Sequence, residues 1–557
     1  MSYSLKKATI LLLITLPIIF FYWVVVYMSA NAPFQDDFDA LFEPTVLLSK
    51  GTESFWTFCD VLFKQDDERR IVMDRLIAFA LYKSTGQLDL RVMIILGAAT
   101  LLAYFAVIAR TFKEAGIPLV FLLPIPWLLF NVQFFDAVFW SMIPLQHIAV
   151  FVWGLIAVWL ITRGSKRTFY LGVFFAILSI YSDVSGNFIL PAGIMVLFIQ
   201  RRWSALAIWV AVIGLFVFYY FHGLTVPDFR PSFSDNISKP LNILMTILAL
   251  PGLWADPGPS FGFSVRAGVS MITGLILIIT LITLAYQTGQ RIWKTNEIPG
   301  NNELFLWGGL CFLAVVFSTL ALARASYGLD SVFNTRYRHM YIHWLILSYA
   351  LLLIRFPQFR RSERVGWIAG GLGILFCFNA YIQYWGDLDY FRKVILTDAY
   401  EWKNNRALPS TPIYQTPRVG KLVDKIYEDA YETGVYHGPG YQFEDVIAAP
   451  FKSTAKVEIT DSPESLVINV LDLKRSMGKN DGLYVILKSA TETHVFPTRH
   501  NRRAIHRMLL SGQYYYPGAT SEVISKVYLK SRPMDIEIGI VDGSNVYRLT
   551  TGKQVSL

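Results

Sequence analysis

Over its first two thirds the chain alternates apolar runs with short polar stretches, and after about residue 385 this rhythm stops. Apolar runs fall at 8–28, 91–109, 117–133, 147–162, 168–182, 187–200, 203–221, 266–286, 304–323, 340–355 and 366–384. A helix needs about 20 residues to cross a hydrocarbon core of about 30 Å. The eleven runs therefore predict a polytopic α-helical membrane body in which several spans are short. Residues 240–256 are also apolar, but they contain Pro240 and Pro251-Gly252 and lead into Asp256-Pro257-Gly258-Pro259. They predict a re-entrant or surface-lying segment, which a membrane tolerates where the irregular backbone is buried in protein or lines a cavity. In the first loop, 38–50 and 71–83 place apolar residues at roughly helical spacing but are too short to span, so they predict helices lying in the interface.

Beyond residue 385 the pattern becomes aromatic and polar, with a predicted helix at 418–433. Short β-favouring runs then follow at 456–460, 466–470, 482–487, 521–529, 536–541 and 546–550, with a turn at Asp542-Gly543-Ser544-Asn545. Turn residues recurring at this pace predict an antiparallel sandwich. The expected organisation is a transmembrane domain at 1–385, a helical connecting region at 386–449 and a β-rich domain at 450–557.

Composition sharpens this picture. Hydrophobic residues make up 54% of the chain and charged ones 16%, against about 25% charged in an ordinary soluble protein; mean hydropathy is +0.42. The net charge of +9 does not point to nucleic acid, because most of the basic excess sits in short loops between apolar runs. There it sets topology: Lys6/Lys7, Arg110/Lys113, Arg163/Lys166/Arg167, Arg201/Arg202, Arg291/Lys294 and Arg355/Arg360/Arg361/Arg364 fall on one side, while 134–146 and 181–186 lack Lys and Arg. The positive-inside rule places the N-terminus in the cytosol and the β-rich region outside. The run at 8–27, with Lys6 and Lys7 before it and Ser-Ala-Asn-Ala at 29–32 after it, also fits a cleaved signal peptide, but its length and the topology favour a retained span. Three scattered cysteines suggest neither a disulfide nor a metal site.

Four segments on the expected outer side carry candidate chemistry: Gln35-Asp36-Asp37-Phe38, the aromatic loop 135–146, Tyr181-Ser182-Asp183-Val184-Ser185-Gly186-Asn187, and Arg324-Ala325-Ser326-Tyr327-Gly328 with Asn334-Thr335-Arg336-Tyr337-Arg338-His339. In this order the chain resembles, over roughly 1–385, the GT-C class of integral-membrane glycosyltransferases, which take a sugar from a polyprenyl-phosphate carrier. It departs from the class late in the first loop, where Arg69-Arg70-Ile71 replaces a His-Arg-Ile-like stretch. The β-rich domain lies outside the resemblance.

The resemblance implies that an acid early in the first outer loop takes the acceptor hydroxyl proton: Asp36, with Asp37 second. The alternative is that Asp36, Asp37 and Asp39 mark a solvated helix start. A departing phosphate calls for guanidinium groups, which clamp it at two points. Arg324, Arg336 and Arg338 lie outside against the positive-inside trend and so are candidates, with Tyr337 beside them. Arg69 and Arg70 are secondary, since Asp66, Asp67 and Glu68 offer them local partners. Asp136, Trp140, Gln146 and Asp183 are candidates for sugar or acceptor binding; for Asp183 the pattern with Ser182 and Ser185 favours a helix cap, and aromatics collect at interfaces regardless of function. No cofactor is required, although Asp36, Asp37 and Asp39 offer oxygen ligands that a divalent cation accepts.

The expectation is a glycosyltransferase in a bacterial inner membrane, acting at the periplasmic face on a polyprenyl-phosphate-linked sugar and a glycan acceptor. One base and a phosphate leaving group suit a single displacement with inversion. A polysaccharide polymerase or ligase is the first rival. A transporter or flippase is the second, and it would be expected to show internal repeats and ionisable groups deep within spans.

Overall fold

Each of the eleven apolar runs contains helix, the run 117–133 only as two short pieces, Leu119–Leu122 and Pro124–Leu129. In the computed structural model, residues 3–227, 230–411, 414, 416–441, 443–475, 477–521, 523–530 and 533–555 are described. Among them, seven helices are long and apolar enough to cross a membrane: Ser4–Met28, Leu90–Glu114, Pro144–Ile161, Trp203–Phe221, Phe263–Thr295, Asn301–Tyr327 and Glu363–Asn405. The other expected spans are shorter or more polar. Leu119–Leu129 and Val184–Ile199 fall below spanning length. Lys166–Ile180 has 15 residues, which at 1.5 Å per residue is about 22 Å. Arg338–Arg355 is 18 residues long but carries Arg338, His339 and His343 in its first two turns.

The chain forms two compact units interleaved in sequence. The first comprises Met1–Val25, Thr52–Ile77 and Val92–Gln383, and the second Val26–Gly51, Ala78–Arg91 and Tyr384–Leu557.

In the first unit the expected re-entrant segment is a short helix, Pro240–Ala249, continued by a 3-10 turn, Leu250–Ala255. It packs closely against Phe263–Thr295 because two glycines remove the side chains between the backbones. A Cβ on Gly252 would fall 2.0 Å from the Ser270 carbonyl oxygen, and one on Gly274 would fall 1.9 Å from that of Leu248. Small residues at such a crossing are the usual route to close packing in apolar surroundings. In the Asp-Pro-Gly-Pro stretch the Asp256 side chain is fully buried, with Arg266 donating to both its oxygens at 2.9 and 2.7 Å and Arg338 to Oδ2 at 2.5 Å.

In the second unit eight of nine strands form one hydrogen-bonded path, β1–β9–β8–β4–β5–β6–β3–β2, and β7 pairs with β3 off this path. They are β1 Phe451–Thr454, β2 Val457–Asp461, β3 Ser465–Val470, β4 Gly482–Lys488, β5 Thr493–Arg499, β6 Ala519–Ser521, β7 Ile524–Ser525, β8 Met534–Asp542 and β9 Asn545–Val555. The pairing is antiparallel, as expected, except for one parallel pair, β1 with β9. Alternate residues Leu466, Ile468 and Val470, Leu483, Val485 and Leu487, and Ile536, Ile538 and Ile540 share a single core, as the period of two in a strand requires. The opposite face of β4, β5 and β8 (Tyr484, Ile486, Val495, Val541) packs on Ile395, Leu396 and Ala399 of the helix Glu363–Asn405. This explains why β4 is buried on both faces. The expected strand at 521–529 is instead β6, β7 and a 3-10 turn, Lys526–Tyr528, with residue 522 outside the described residues.

Asp36 and Asp37 belong to this second unit. Gln35 adopts φ 45°, and the Asp37 carboxylate, fully buried, accepts the Phe34 N–H at 2.8 Å. The expected interfacial helix at 38–50 begins as a π turn, Phe38–Phe42, and continues as Glu43–Ser49. Phe38 packs on Tyr414 and Tyr427, and Phe42 on Tyr427 and Tyr436. The expected helix at 418–433 runs Pro417–Glu432.

Candidate functional site

A cavity of about 350 Å³ in the first unit is lined by six segments of loop and helix. One wall is apolar. Val316, Thr319, Leu320 and Ala323 from the helix Asn301–Arg324 form a single stripe at helical spacing, ending in Arg324, and Phe151, Phe188 and Met340 face the same space. The polar part of the lining comprises Glu68, Arg69, His147, Asp183, Arg230, Asn236, Arg324, Tyr327 and Tyr337.

Glu68 and Arg69 are presented by a tight turn. Asp66 N–H donates to the Arg69 carbonyl at 2.8 Å and Arg69 N–H to the Asp66 carbonyl at 2.9 Å. Asp67 sits at the apex with φ 49°, a left-handed position that aspartate tolerates better than most residues. The turn is anchored from behind. The guanidinium of Arg75, 1% exposed, donates to the carbonyls of Leu62 and Lys64. Arg70 donates to the carbonyls of Tyr220 and His222, both at 2.9 Å, and to that of Phe63. It therefore caps the carboxyl end of the helix Trp203–Phe221, where orphan carbonyls favour a cation.

The turn also sorts its charges. Arg69 Nε donates to Asp66 Oδ2 at 3.3 Å, and the Gln146 amide, turned with its oxygen toward Arg69, accepts at 3.0 and 3.2 Å. Asp67 and Glu68 pair instead with Arg230, which contacts Asp67 Oδ2 and lies 2.9 Å from Glu68 Oε2. Burial, followed by the hydrogen bond to Asp67, pushes the Glu68 carboxyl up to about 7. Burial works against the charge on Asp67, but hydrogen bonds from Glu68 and Arg230 outweigh it and hold that carboxyl below its usual range. Close by, Asp74 is fully buried, its two oxygens have no hydrogen-bond partner among the described residues, and desolvation raises its carboxyl well above the ordinary value.

On the far side, Asp183 accepts the Ser185 N–H at 3.1 Å and caps the 3-10 turn Val184–Phe188. That turn packs against its neighbour through Gly186, where a Cβ would fall 1.9 Å from the Ser179 carbonyl oxygen. His147 comes from a π turn, Pro144–Ile148, a distortion frequent at functional sites. Arg324 ends its helix 5.4 Å from the Tyr327 ring, and no carboxylate pairs with it among the described residues.

The cavity thus brings together Arg69, Asp183, Arg324 and Tyr337 of the residues singled out in the sequence, with Gln146 behind Arg69. Arg336 does not line it; this side chain lies 5.3 Å from the Tyr337 ring. Arg338 is committed to Asp256 and Arg70 to backbone carbonyls. Asp136 accepts from Thr335 Oγ1 at 2.5 Å and Trp140 is buried, both outside the lining. Asp36 and Asp37 are not part of the lining either. Sequence reasoning did not single out Glu68, His147 or Arg230. Arg230 carried a usable signal: like Arg324 it lies on the expected outer side, against the positive-inside trend.

The arrangement can hold an anion between Arg324 and Arg69 while an apolar chain lies along the stripe ending at Arg324. Among the described residues no group of three His, Cys, Asp or Glu side chains is placed to share a metal ion. No family model matches the chain, and no curated protein or solved structure is significantly similar to it.

Proposed function

We propose that this chain is a membrane glycosyltransferase that moves a sugar from a polyprenyl-phosphate donor to a cell-surface glycan at the periplasmic face of a bacterial inner membrane. The observation that carries the reading is the amphiphilic cavity, in which an apolar helix stripe ends in a guanidinium without an anionic partner. A lipid phosphate matches both halves. The prenyl chain takes the Val316–Leu320 stripe, and the phosphate takes Arg324 and Arg69, with Tyr337 at its side. Charge-assisted hydrogen bonds to phosphate strengthen as the leaving group gains charge, which lowers the barrier to cleavage of the anomeric bond. The acceptor hydroxyl then needs a base, and the carboxylates for that role are Asp36, from the resemblance, and Glu68 and Asp183 of the cavity. Transfer by this route requires no metal.

The test is the sugar composition of surface glycan, by mass spectrometry, in cells carrying wild type, Arg324→Ala or Asp36→Asn at matched membrane levels. Loss of one sugar in Arg324→Ala supports the reading, and unchanged glycan in that variant removes it. Asp36→Asn asks separately whether the first-loop acid takes part.

A further inference from the structure

We propose that Glu68 is the base that takes the acceptor proton, with Asp67 as the carboxylate that shares it and Arg230 as the cation that holds the pair in place. This assignment rests on the glycosyl-transfer reading and goes beyond it, since the resemblance points to Asp36.

The argument starts from charge balance in the turn. Two consecutive carboxyl groups share one guanidinium, Arg230, while Arg69 turns its Nε and Nη1 to Asp66 and Gln146. Asp67 Oδ1 is shielded from solvent, and no N–H donor reaches it among the described residues. A proton held between Glu68 and Asp67 satisfies it and removes the repulsion between two like charges; such pairs give up their protons in two separated steps. Glu68 reaches the cavity lining, whereas Asp67 stands behind it.

The groups facing Glu68 support the role. Asp67 and Arg69 come from its own turn, Arg230 from the loop after the helix Trp203–Phe221, His147 from the π turn, Asp183 from its capped turn, and Arg324, Tyr327 and Tyr337 from the end of the helix Asn301–Arg324 and the 3-10 turns that follow it. The carboxyl pushed up to about 7 is a stronger base than an ordinary glutamate and is still partly ionised at neutral pH, which is where general-base catalysis is most efficient. In the step itself the acceptor oxygen bonds to the anomeric carbon as its proton passes to a Glu68 oxygen. The bond from that carbon to the phosphate oxygen breaks, and the electron pair leaves with the lipid phosphate beside Arg324. The proton on Glu68 is then shared with Asp67 until solvent removes it.

The experiment uses the full chain at matched membrane levels, in washed cells buffered between pH 5.5 and 8.5, with sugar incorporation into surface glycan as the readout. Binding of undecaprenyl phosphate to the purified chain is measured in parallel by its effect on thermal unfolding. Glu68→Gln is expected to lower incorporation by about 10²-fold or more while undecaprenyl phosphate still binds, and Glu68→Asp to recover part of it. Wild-type incorporation should fall as pH drops below about 7, and Asp67→Asn should move that acid limb to lower pH, because a like charge has been removed. Wild-type incorporation in Glu68→Gln, or an unmoved acid limb in Asp67→Asn, overturns the assignment. Should Glu68→Gln fail to accumulate, the Asp67→Asn limb decides. If Arg324→Ala loses both binding and incorporation while Glu68→Gln keeps both, only the assignment of the base fails. If Arg324→Ala keeps both, the glycosyl-transfer reading fails with it.

Discussion

The two units each bury a group of charges, and they treat those charges differently. In the second unit Asp389 receives Lys393 at 2.9 and 3.0 Å and Arg475 at 2.7 Å. Nearby in sequence, Glu401 receives His494 Nδ1 at 2.8 Å and the Val495 N–H at 2.6 Å. These charges are closed upon one another and leave nothing to bind with; they tie the helix Glu363–Asn405 to the strand region. In the first unit the cavity keeps Arg324 without a carboxylate and gives Asp67 and Glu68 a single cation between them. Burying charge costs several kcal/mol unless it is paired, so an imbalance that persists at a cavity wall marks where a ligand's charge completes the set.

The largest expected effect is on the closed group. Asp389→Asn leaves Lys393 and Arg475 buried without their anion and should cost about 3–5 kcal/mol of stability. Thermal or denaturant unfolding of the purified chain would show it, and a loss below about 1 kcal/mol would erase the contrast between the two groups. Arg324→Ala should do the reverse. It removes hydrogen bonds to a charged ligand worth about 1.5–3 kcal/mol, hence roughly 10–10²-fold in binding of undecaprenyl phosphate. The melting temperature without ligand should stay unchanged or rise, and a fall would show that Arg324 is part of the scaffold.

The comparison also has a pH signature. Burial lowers the His494 imidazole, but the Glu401 hydrogen bond and charge outweigh it, so the group titrates above its ordinary value. Its folded-state pKa exceeds the unfolded one, so this stabilisation is complete below the unfolded pKa of about 6.5 and is lost as pH rises through the raised value. Melting temperatures should therefore decline from pH 6 upward, and Glu401→Gln should flatten that decline. Glu68 acts in the same sense over a lower window, between its unfolded value and about 7, and Glu68→Gln should remove that part alone. The smallest effect belongs to Asp183→Ala. Loss of its cap to Ser185 should cost about 1 kcal/mol, and a loss of sugar incorporation larger than this stability change explains would mean that Asp183 also touches substrate.

Much of the architecture was legible from residue pattern. All eleven apolar runs contain helix, although among the described residues only seven helices have spanning length and apolarity, because hydropathy marks a run without saying where a helix cap or a π turn will shorten it. Four of the six expected strands lie within a residue or two of their bounds, and Asp542-Gly543-Ser544-Asn545 forms the β8–β9 turn with Gly543 at φ 60°. Strand β5 escaped notice because Pro497, which cannot donate to a ladder, argues against a strand, although it pairs with Tyr484 in the sheet. In the site, the positive-inside anomaly found Arg324. It found Arg338 too, but Asp256, distant in sequence, claims that side chain. The adjacent Asp66-Asp67-Glu68-Arg69-Arg70 read as local pairs; Asp66 with Arg69 is one, whereas Asp67 and Glu68 pair with Arg230.

What the sequence determined alone is therefore the class of molecule: a helical membrane body, the side on which its uncompensated arginines are expected, and a β-rich C-terminal region. These follow from composition and periodicity, which each segment carries independently of its neighbours. Which arginine stays open to a ligand was decided by tertiary structure. Arg70 was taken by carbonyls beyond residue 219, Arg338 by Asp256, and Arg230 by a turn about 160 residues before it. A charge is satisfied by whatever the fold brings within about 4 Å, and at that range the distance along the chain has no bearing on the outcome.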